Sequence, residues 1–263
     1  MSVLLHISDP HFGTERVEVV AALQRLAAEL EPACIVVSGD ITQRARRAQF
    51  AAARTFVDAL PAPALVIPGN HDIPLFDLWS RLRSPYAHFR EAFGEALELE
   101  WSSPDWHVLA INTTRWWRHK DGEVSPAQVQ HVAQRLSQAQ PEQVRVVVTH
   151  QPMLVIRQHD VGNLLHGHRG AADAWVEAGV DLLLGGHIHL PYVRPLDTQR
   201  RCRTYVVQAG TAVSRRVRGD VPNSVNVLRR ERGTHSCVVE RWDYDVGLAR
   251  FARRESHTLA LAH

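Results

Sequence analysis

Residues 3–40 read VLLHISDPHFGTERVEVVAALQRLAAELEPACIVVSGD. The stretch opens on a short apolar run, Val3 to Ile7. There follows a segment in which Val17, Val20, Ala21, Leu23, Leu26, Ala27 and Leu30 recur at about the 3.6-residue period of a helix. A β-branched run, Cys34 to Val37, comes next, so the unit reads strand, helix, strand. It is then repeated: a helix with Ala48, Ala52, Phe56, Val57 and Leu60 on one side leads to a third apolar run, Ala64 to Ile67. Two successive crossovers of this kind predict an α/β protein with a parallel sheet at its centre.

Working outward, a helical, aromatic-rich insertion is expected from about Leu75 to Phe93, then a strand near Trp106 to Ile111. Ser125 before Pro126 supplies an N-cap with proline at the first helical position, predicting a helix to about Gln138. Val144 to Val148 and Val180 to Leu184 read as buried strands on either side of a helix near Ala171 to Ala178. Tyr205 to Gln208, Val225 to Leu228 and Cys237 to Trp242 follow one another without a helix, which predicts an antiparallel meander. No repeat, linker or composition break divides the chain. The expectation is one domain over 1–247 with a weakly specified tail at 248–263.

A chain of 263 residues with 45% hydrophobic and 22% charged side chains is ordinary for a globular protein, and no apolar run approaches a membrane span. The opening MSVLLHISDP lacks a basic region and a long apolar core, which predicts a cytoplasmic protein without a signal peptide. Cys34, Cys202 and Cys237 are too few and too widely spaced for a disulfide framework or a thiolate metal motif. The unusual feature is histidine, at 16 residues, because imidazole is the commonest metal ligand and the usual acid–base group near neutral pH.

Five apolar runs end in turns that carry Asp, Asn or His. These are Asp9 and His11; Gly39-Asp40; Gly69-Asn70-His71-Asp72; His150; and Gly186-His187-Ile188-His189. Ligands of α/β sheets gather at the carboxyl ends of strands, so these groups are expected to converge on one site. In extended chain, residues i and i+2 share a side, which lets Asp9 with His11, and His187 with His189, face one cavity. Mixed carboxylate, imidazole and amide donors suit Mn, Fe, Zn or Co better than Ca or Mg. Too many donors are present for one ion. Two ions sharing a carboxylate would clamp the attacking and leaving oxygens of a displacement at phosphorus.

The series Asp-x-His, Gly-Asp, Gly-Asn-His-Asp, His and Gly-His-x-His, in this order, resembles the calcineurin-like binuclear metallophosphoesterase family. Each motif is weak alone, and five in order are specific. The resemblance runs from Asp9 to His189. It implies a four-layer α-β-β-α sandwich of two mixed sheets flanked by helices, the meander belonging to the second sheet. It assigns Asp9, His11 and His189 to one divalent transition metal, Asn70, His150 and His187 to a second, and Asp40 to the bridge. His71 would stand beside the metals as proton donor or transition-state ligand, making His71, Asp40 and Asn70 the catalytic set. The activity implied is in-line attack of a metal-bridging hydroxide on a phosphoester. The overall set is most similar to bacterial class III cyclic nucleotide phosphodiesterases, which share the Ile-Ser-Asp opening at Ile7 to Asp9.

A single His after a strand is ordinarily a loop residue, and an Asp or Asn there is ordinarily a turn or cap. Seven such positions in register argue otherwise. By the same standard His6 reads as packed, His166 and His168 as loop or cap residues, and Asp72 as either orienting His71 or capping the next segment. The loop from Asn112 to Lys120 mixes Trp116 and Trp117 with cations, as a nucleotide-binding lip or as an ordinary exposed loop. A small-molecule phosphodiester is the expected substrate, a cyclic nucleotide among the choices, with no membrane partner. The rival is a nuclease acting on single strands, since nine arginines stand between Arg200 and Arg232 against Asp220 and Glu231. Its alternative is a solvated β face, and the chain's net charge of only +2 favours that. A phosphomonoesterase fits the same residues, whereas a scaffold without activity fits a full ligand set poorly.

Overall fold

The computed structural model describes residues 1–196 and 203–261; Arg200, Arg201 and Cys202 lie outside the described residues. In chain order the elements are β1 (Ser2–Ile7), α1 (Val17–Leu30), β2 (Cys34–Ser38), α2 (Arg47–Asp58), β3 (Ala64–Ile67), α3 (Leu78–Arg83), α4 (Ala87–Phe93), β4 (Leu99–Ser102), β5 (Trp106–Ala110) and α5 (Pro126–Ser137). After these come β6 (Val144–Val148), α6 (His168–Glu177), β7 (Leu182–Gly185), β8 (Tyr192–Pro195), β9 (Tyr205–Gln208), β10 (Ser224–Arg230), β11 (Ser236–Asp245) and β12 (Arg250–Ala260). One sheet has the order β12-β11-β10-β1-β2-β3 and the other β4-β5-β6-β7-β9-β8.

Side chains alternate across a strand, and here the alternation feeds separate cores. Val3, Leu5 and Ile7 of β1, with Ile35 and Val37 of β2, pack against α1 and α2 through Val19, Leu23, Leu26, Phe50 and Phe56. Leu4 and Val36 point the other way and meet Val144, Val146, Val148, Leu182 and Leu184 of the second sheet. The far face of that sheet carries Val147 and Leu183 onto Val132 and Leu136 of α5 and Trp175 of α6. Helices, sheet, sheet and helices thus form the four expected layers, and the continuous apolar runs reflect strands covered on both faces. Ser125 caps α5 as expected, accepting from Gln128 N at 3.2 Å, while Gln128 Oε1 accepts from Ser125 N at 3.0 Å.

Three expectations are corrected. The tail is no tail: residues 250–260 are strand β12, paired antiparallel with β11 from Asp245↔Arg250 to Ser236↔Ala260. Only Phe251 and Leu259 of that segment bury apolar side chains, and the charged run Arg253-Arg254-Glu255 between them hides the strand period. Tyr205 to Gln208 does not enter the meander but runs parallel to β7 and antiparallel to β8, a strand the sequence reading omits along with β4. The meander, β10 to β12, completes the first sheet and not the second, through β10 against β1. No helix among the described residues is long and apolar enough to cross a membrane.

Strands β1, β2 and β3 are mutually parallel, as are β5, β6, β7 and β9. The turns that follow β1, β2, β3, β6 and β7 carry the five motifs. They come together at one edge of the two-sheet stack.

Candidate metal centre

Donor atoms of Asp9, His11 and His189 lie within 4.8 Å of one another, and so do those of Asp40, His150 and His187. The two groups adjoin through Asp40. Its Oδ2 is 3.7 Å from His11 Nε2 in the first group, while its Oδ1 is 3.3 Å from His150 Nε2 in the second. Asn70 joins the second group, its Oδ1 lying 3.2 Å from His150 Nε2. All seven residues that the sequence motifs single out as ligands are therefore brought together.

The backbone makes this possible at a cost. Among described non-glycine residues, eight have positive φ, and five of these are Asp9, His11, Asp40, His187 and His189, with φ between 45° and 72°. Such strain of about 1–3 kcal/mol per residue persists only where the surroundings enforce it, and it clusters at functional sites. Close approach of the turns is equally deliberate. A Cβ on Gly69 would fall 2.0 Å from Asp40 N, and one on Gly186 would fall 2.5 Å from Asp9 Oδ2.

The hydrogen bonding shows what the cluster lacks. His150 Nδ1 donates to the Ser38 carbonyl at 2.8 Å and His189 Nδ1 to the Arg216 carbonyl at 2.6 Å. In the neutral ring this leaves each Nε2 with a lone pair directed inward. His189 Nε2 stands 3.1 Å from His11 Nε2 and 3.2 Å from Asp9 Oδ1. Asp9 Oδ2 is occupied, accepting from Ser8 Oγ at 2.6 Å and His187 N at 2.9 Å, whereas Asp9 Oδ1 and His187 Nδ1 are buried without a hydrogen-bond partner. Lone pairs facing lone pairs in a buried site are the signature of a place for cations. The donor set, three carboxylate or amide residues to four imidazoles, fits two divalent transition ions.

The electrostatics agree. Burial would raise the carboxyl of Asp9, but the imidazoles of His189 and His150 hold it below the usual carboxylate range. Asp40 is likewise opposed by burial and held well down by His150, His71 and His11. Burial pushes His11 down to about 3 and His187 to about 4, the latter aided by His150. Against burial, the charge of Asp40 lifts His150 to about 9.

Asp72 does not orient His71. Its carboxylate accepts from Ile41 N, Thr42 N, Thr42 Oγ1 and Gly69 N at 2.8 to 2.9 Å, stitching the β3 turn to the β2 turn. Burial and the charge of Asp40 push it up to about 7. His71 is held instead by Gln43, whose carbonyl accepts from Nδ1 at 3.0 Å, and by Asp40 Oδ1, which accepts from its backbone N–H at 2.8 Å. Its Nε2 faces a group that sequence reasoning missed: Arg216, whose Nη1 lies 3.1 Å from it and 3.3 Å from both His11 Nε2 and Gln43 Oε1. No local signal marks Arg216, which sits in an arginine-rich stretch read as one surface face.

That stretch is not one face. Arg216 and Arg218 line the cavity beside the metal centre, together with Gln43, Arg44, His119, Lys120 and Asp160. Arg229 and Arg230 stand at the opposite end of the sheet, since Arg230 pairs with Ser2 at the start of β1, the strand that runs toward Asp9. Arg229 donates to Glu240 at 3.1 Å, and the Nη1 and Nη2 of Arg230 donate to the Ser236 and Glu142 carbonyls. In the Asn112 to Lys120 loop, Trp116 and Trp117 pack edge to face at 5.5 Å and do not line the cavity, whereas His119 and Lys120 do. His6 is buried against Ser38 at 2.8 Å. His168 Nδ1 donates to Leu165 O at 2.8 Å and His166 lies 3.5 Å from Asp121, and neither lines the cavity.

A probable cyclic nucleotide phosphodiesterase from Synechococcus sp. is 27% identical over 182 residues, covering 67% of this chain and 66% of that one. The glycerophosphodiester phosphodiesterase GpdQ of Enterobacter lignolyticus is 37% identical over 81 residues, 27% of this chain and 29% of that one. The matches therefore span less than two thirds of either curated relative. In fold, the chain is similar to a purple acid phosphatase from yellow lupin (TM-score 0.74, 11% identity, 99% of this chain and 54% of that one). It is also similar to a dimetal phosphatase from Danio rerio (TM-score 0.70, 13% identity, 99% of each chain). Residues 2–191, from the first strand through the turn that carries His187 and His189, match the calcineurin-like phosphoesterase family, to which this chain belongs.

Proposed function

We propose that the protein is a binuclear metal-dependent phosphodiesterase acting on a small phosphodiester. The observation that carries this reading is the placement of Asp40, whose two carboxylate oxygens face histidines of two different donor groups. Asp9, His11 and His189 would hold one divalent ion and Asn70, His150 and His187 the other, with Asp40 shared. When bound, such a pair supplies Lewis acidity and an activated water for in-line displacement at phosphorus. The chain's own contribution is positional. Ser38 and Arg216 carbonyls fix the tautomers of His150 and His189, and Arg216 holds a guanidinium over the centre where phosphoryl oxygens would sit. With Nδ1 donating to Gln43, His71 presents Nε2 to the cavity and can deliver a proton to a leaving oxygen from its imidazolium form.

A phosphodiester is favoured over a monoester because the two curated relatives are described as phosphodiesterases. A nuclease has less support, because the described arginines between 203 and 232 divide between the two ends of the sheet. The test is metal analysis of the purified protein with a panel of bis-p-nitrophenyl phosphate, p-nitrophenyl phosphate, cyclic AMP and single-stranded DNA. Two metals per chain and a diester preference are expected, with Asp40→Asn losing at least one metal and nearly all activity while staying folded. Two metals and a normal rate in Asp40→Asn would remove the bridge, and a monoester or DNA preference would replace the substrate.

A further inference from the structure

The cavity beside the metal centre, about 640 Å³ and so within the range of small-molecule sites, carries more positive charge than one phosphodiester needs. Arg44, Lys120, Arg216 and Arg218 line it, and the acids on its wall are Asp40 and Asp160. Asp160 and Arg218 cancel: both carboxylate oxygens accept from Arg218 Nη2 at 2.9 Å. Arg218 also donates to the Ile188 carbonyl at 2.8 Å, which makes it a neutralised strut. Two dications, where held by Asp9 and Asp40, would leave an excess of charge that a phosphodiester anion and its nucleophile would balance. Arg216, at the metal end, adds to the grip on that same phosphate.

Arg44 and Lys120 remain. They come from two loops, the turn after β2 and the loop after β5, and neither forms an ion pair among the described residues. The Arg44 guanidinium lies 5.3 Å from the centroid of the Phe76 ring, at the border between this cavity and the neighbouring groove that Phe76 and Asp77 line. Arginine and lysine in one concave site, neither held in an ion pair, bind a phosphate by fork and by point charge respectively. Clefts lined by one sign of charge also concentrate ligands of the other.

We infer that Arg44 and Lys120 form a subsite for a second phosphate, so that the preferred substrates are small phosphodiesters bearing a further phosphoryl group. The inference rests on the phosphodiesterase reading for its chemistry, but the subsite can be judged separately. Two chromogenic esters with the same leaving group provide the comparison: thymidine 5′-(p-nitrophenyl phosphate) with and without a 3′-phosphate. With the metal-loaded protein, the 3′-phosphate is expected to lower KM at least about tenfold with kcat little changed. The Arg44→Gln/Lys120→Gln variant is expected to lose that preference.

Binding gives a readout independent of turnover. Calorimetry on chelator-treated protein compares thymidine 3′,5′-bisphosphate with thymidine 5′-monophosphate, and pyrophosphate with phosphate. At least one two-phosphate ligand is expected to bind about tenfold tighter than its partner, and the double variant to abolish the difference. Equal affinity within both pairs, or a difference that survives the double substitution, overturns the subsite whatever the catalytic result. Failure to hydrolyse either ester while the binding difference holds overturns the phosphodiesterase reading alone. Affinity that instead climbs with every added nucleotide of a single strand, with a log–log salt slope of about −0.7 per contact, would replace the small molecule by nucleic acid.

Discussion

Gly69→Ala isolates the packing that places Asp40 between the two donor groups. Gly69 has φ −103°, which any residue adopts, so the substitution adds a methyl group without forcing the backbone. That methyl would lie 2.0 Å from Asp40 N, 2.2 Å from Asp40 Oδ1 and 2.8 Å from Asp40 Cα. Two of these obstacles are main-chain atoms, so no rotamer relieves the clash, and the β2 and β3 turns must separate by about 1.5 Å to reach ordinary contact near 3.5 Å. Overpacking of this kind costs about 1–3 kcal/mol. A domain stable by about 5–15 kcal/mol stays folded, with Tm lowered by roughly 2–6 °C. The metal centre is less tolerant, because ligand distances hold to about 0.2 Å and a shift of about 1 Å can cost on the order of 10²-fold in rate. Metal content after dialysis, bis-p-nitrophenyl phosphate turnover and thermal melting are the measurements. Gly170→Ala, with open space around its Cβ, is the control. Two metals per chain and a rate within about threefold of wild type would refute the argument that close approach at Gly69 sets the position of Asp40.

His71→Ala should keep both metals yet lose about 10²–10⁴-fold in kcat, less for p-nitrophenolate than for poor leaving groups; equal losses would leave it no acid role. Glu240 accepts from Arg229, Trp242 and Arg253 at 2.9 to 3.1 Å; burial opposes its charge, and these donors hold its carboxyl below the usual value. Its contribution is therefore full above the unfolded carboxylate pKa and lost as pH falls through the lower folded one. Glu240→Gln should cost about 1–2 kcal/mol in urea melts at pH 7, screened at the exposed Arg253, and converge with wild type in acid; a constant difference at all pH values would contradict the charge argument. Truncation after Leu248 removes β12 and with it the burial of Phe251 and Leu259, worth about 1.5–3 kcal/mol each; an unchanged urea midpoint would mean that strand carries no stability.

The boundary between what is legible in the sequence and what is not follows the range of the interactions. Elements covered on both faces, such as β1, β2 and β6, announce themselves by unbroken apolar runs. The Ser125-Pro126 cap and the Asp, Asn and His turns are likewise written in adjacent residues. Strand β12 is different: with Arg253, Arg254 and Glu255 exposed, its identity comes from pairing with β11 and not from its own pattern. Likewise, nothing within Tyr205 to Gln208 says that it lies beside β7 in one sheet while Ser224 to Arg230 lies beside β1 in the other.

The same division holds at the site. By itself the sequence singled out the candidate donors Asp9, His11, Asp40, Asn70, His150, His187 and His189 that the fold brings together, because metal chemistry demands particular side chains and strand ends deliver them at short, recognisable spacings. Only the tertiary structure decided that Gln43 and not Asp72 orients His71. It also decided that Arg216 stands over the centre while Arg229 and Arg230 sit at the far end of the sheet, and that Arg218 is spent on Asp160. Each of these is a contact between residues far apart in the chain, and charge in a sequence carries no direction until the backbone gives it one.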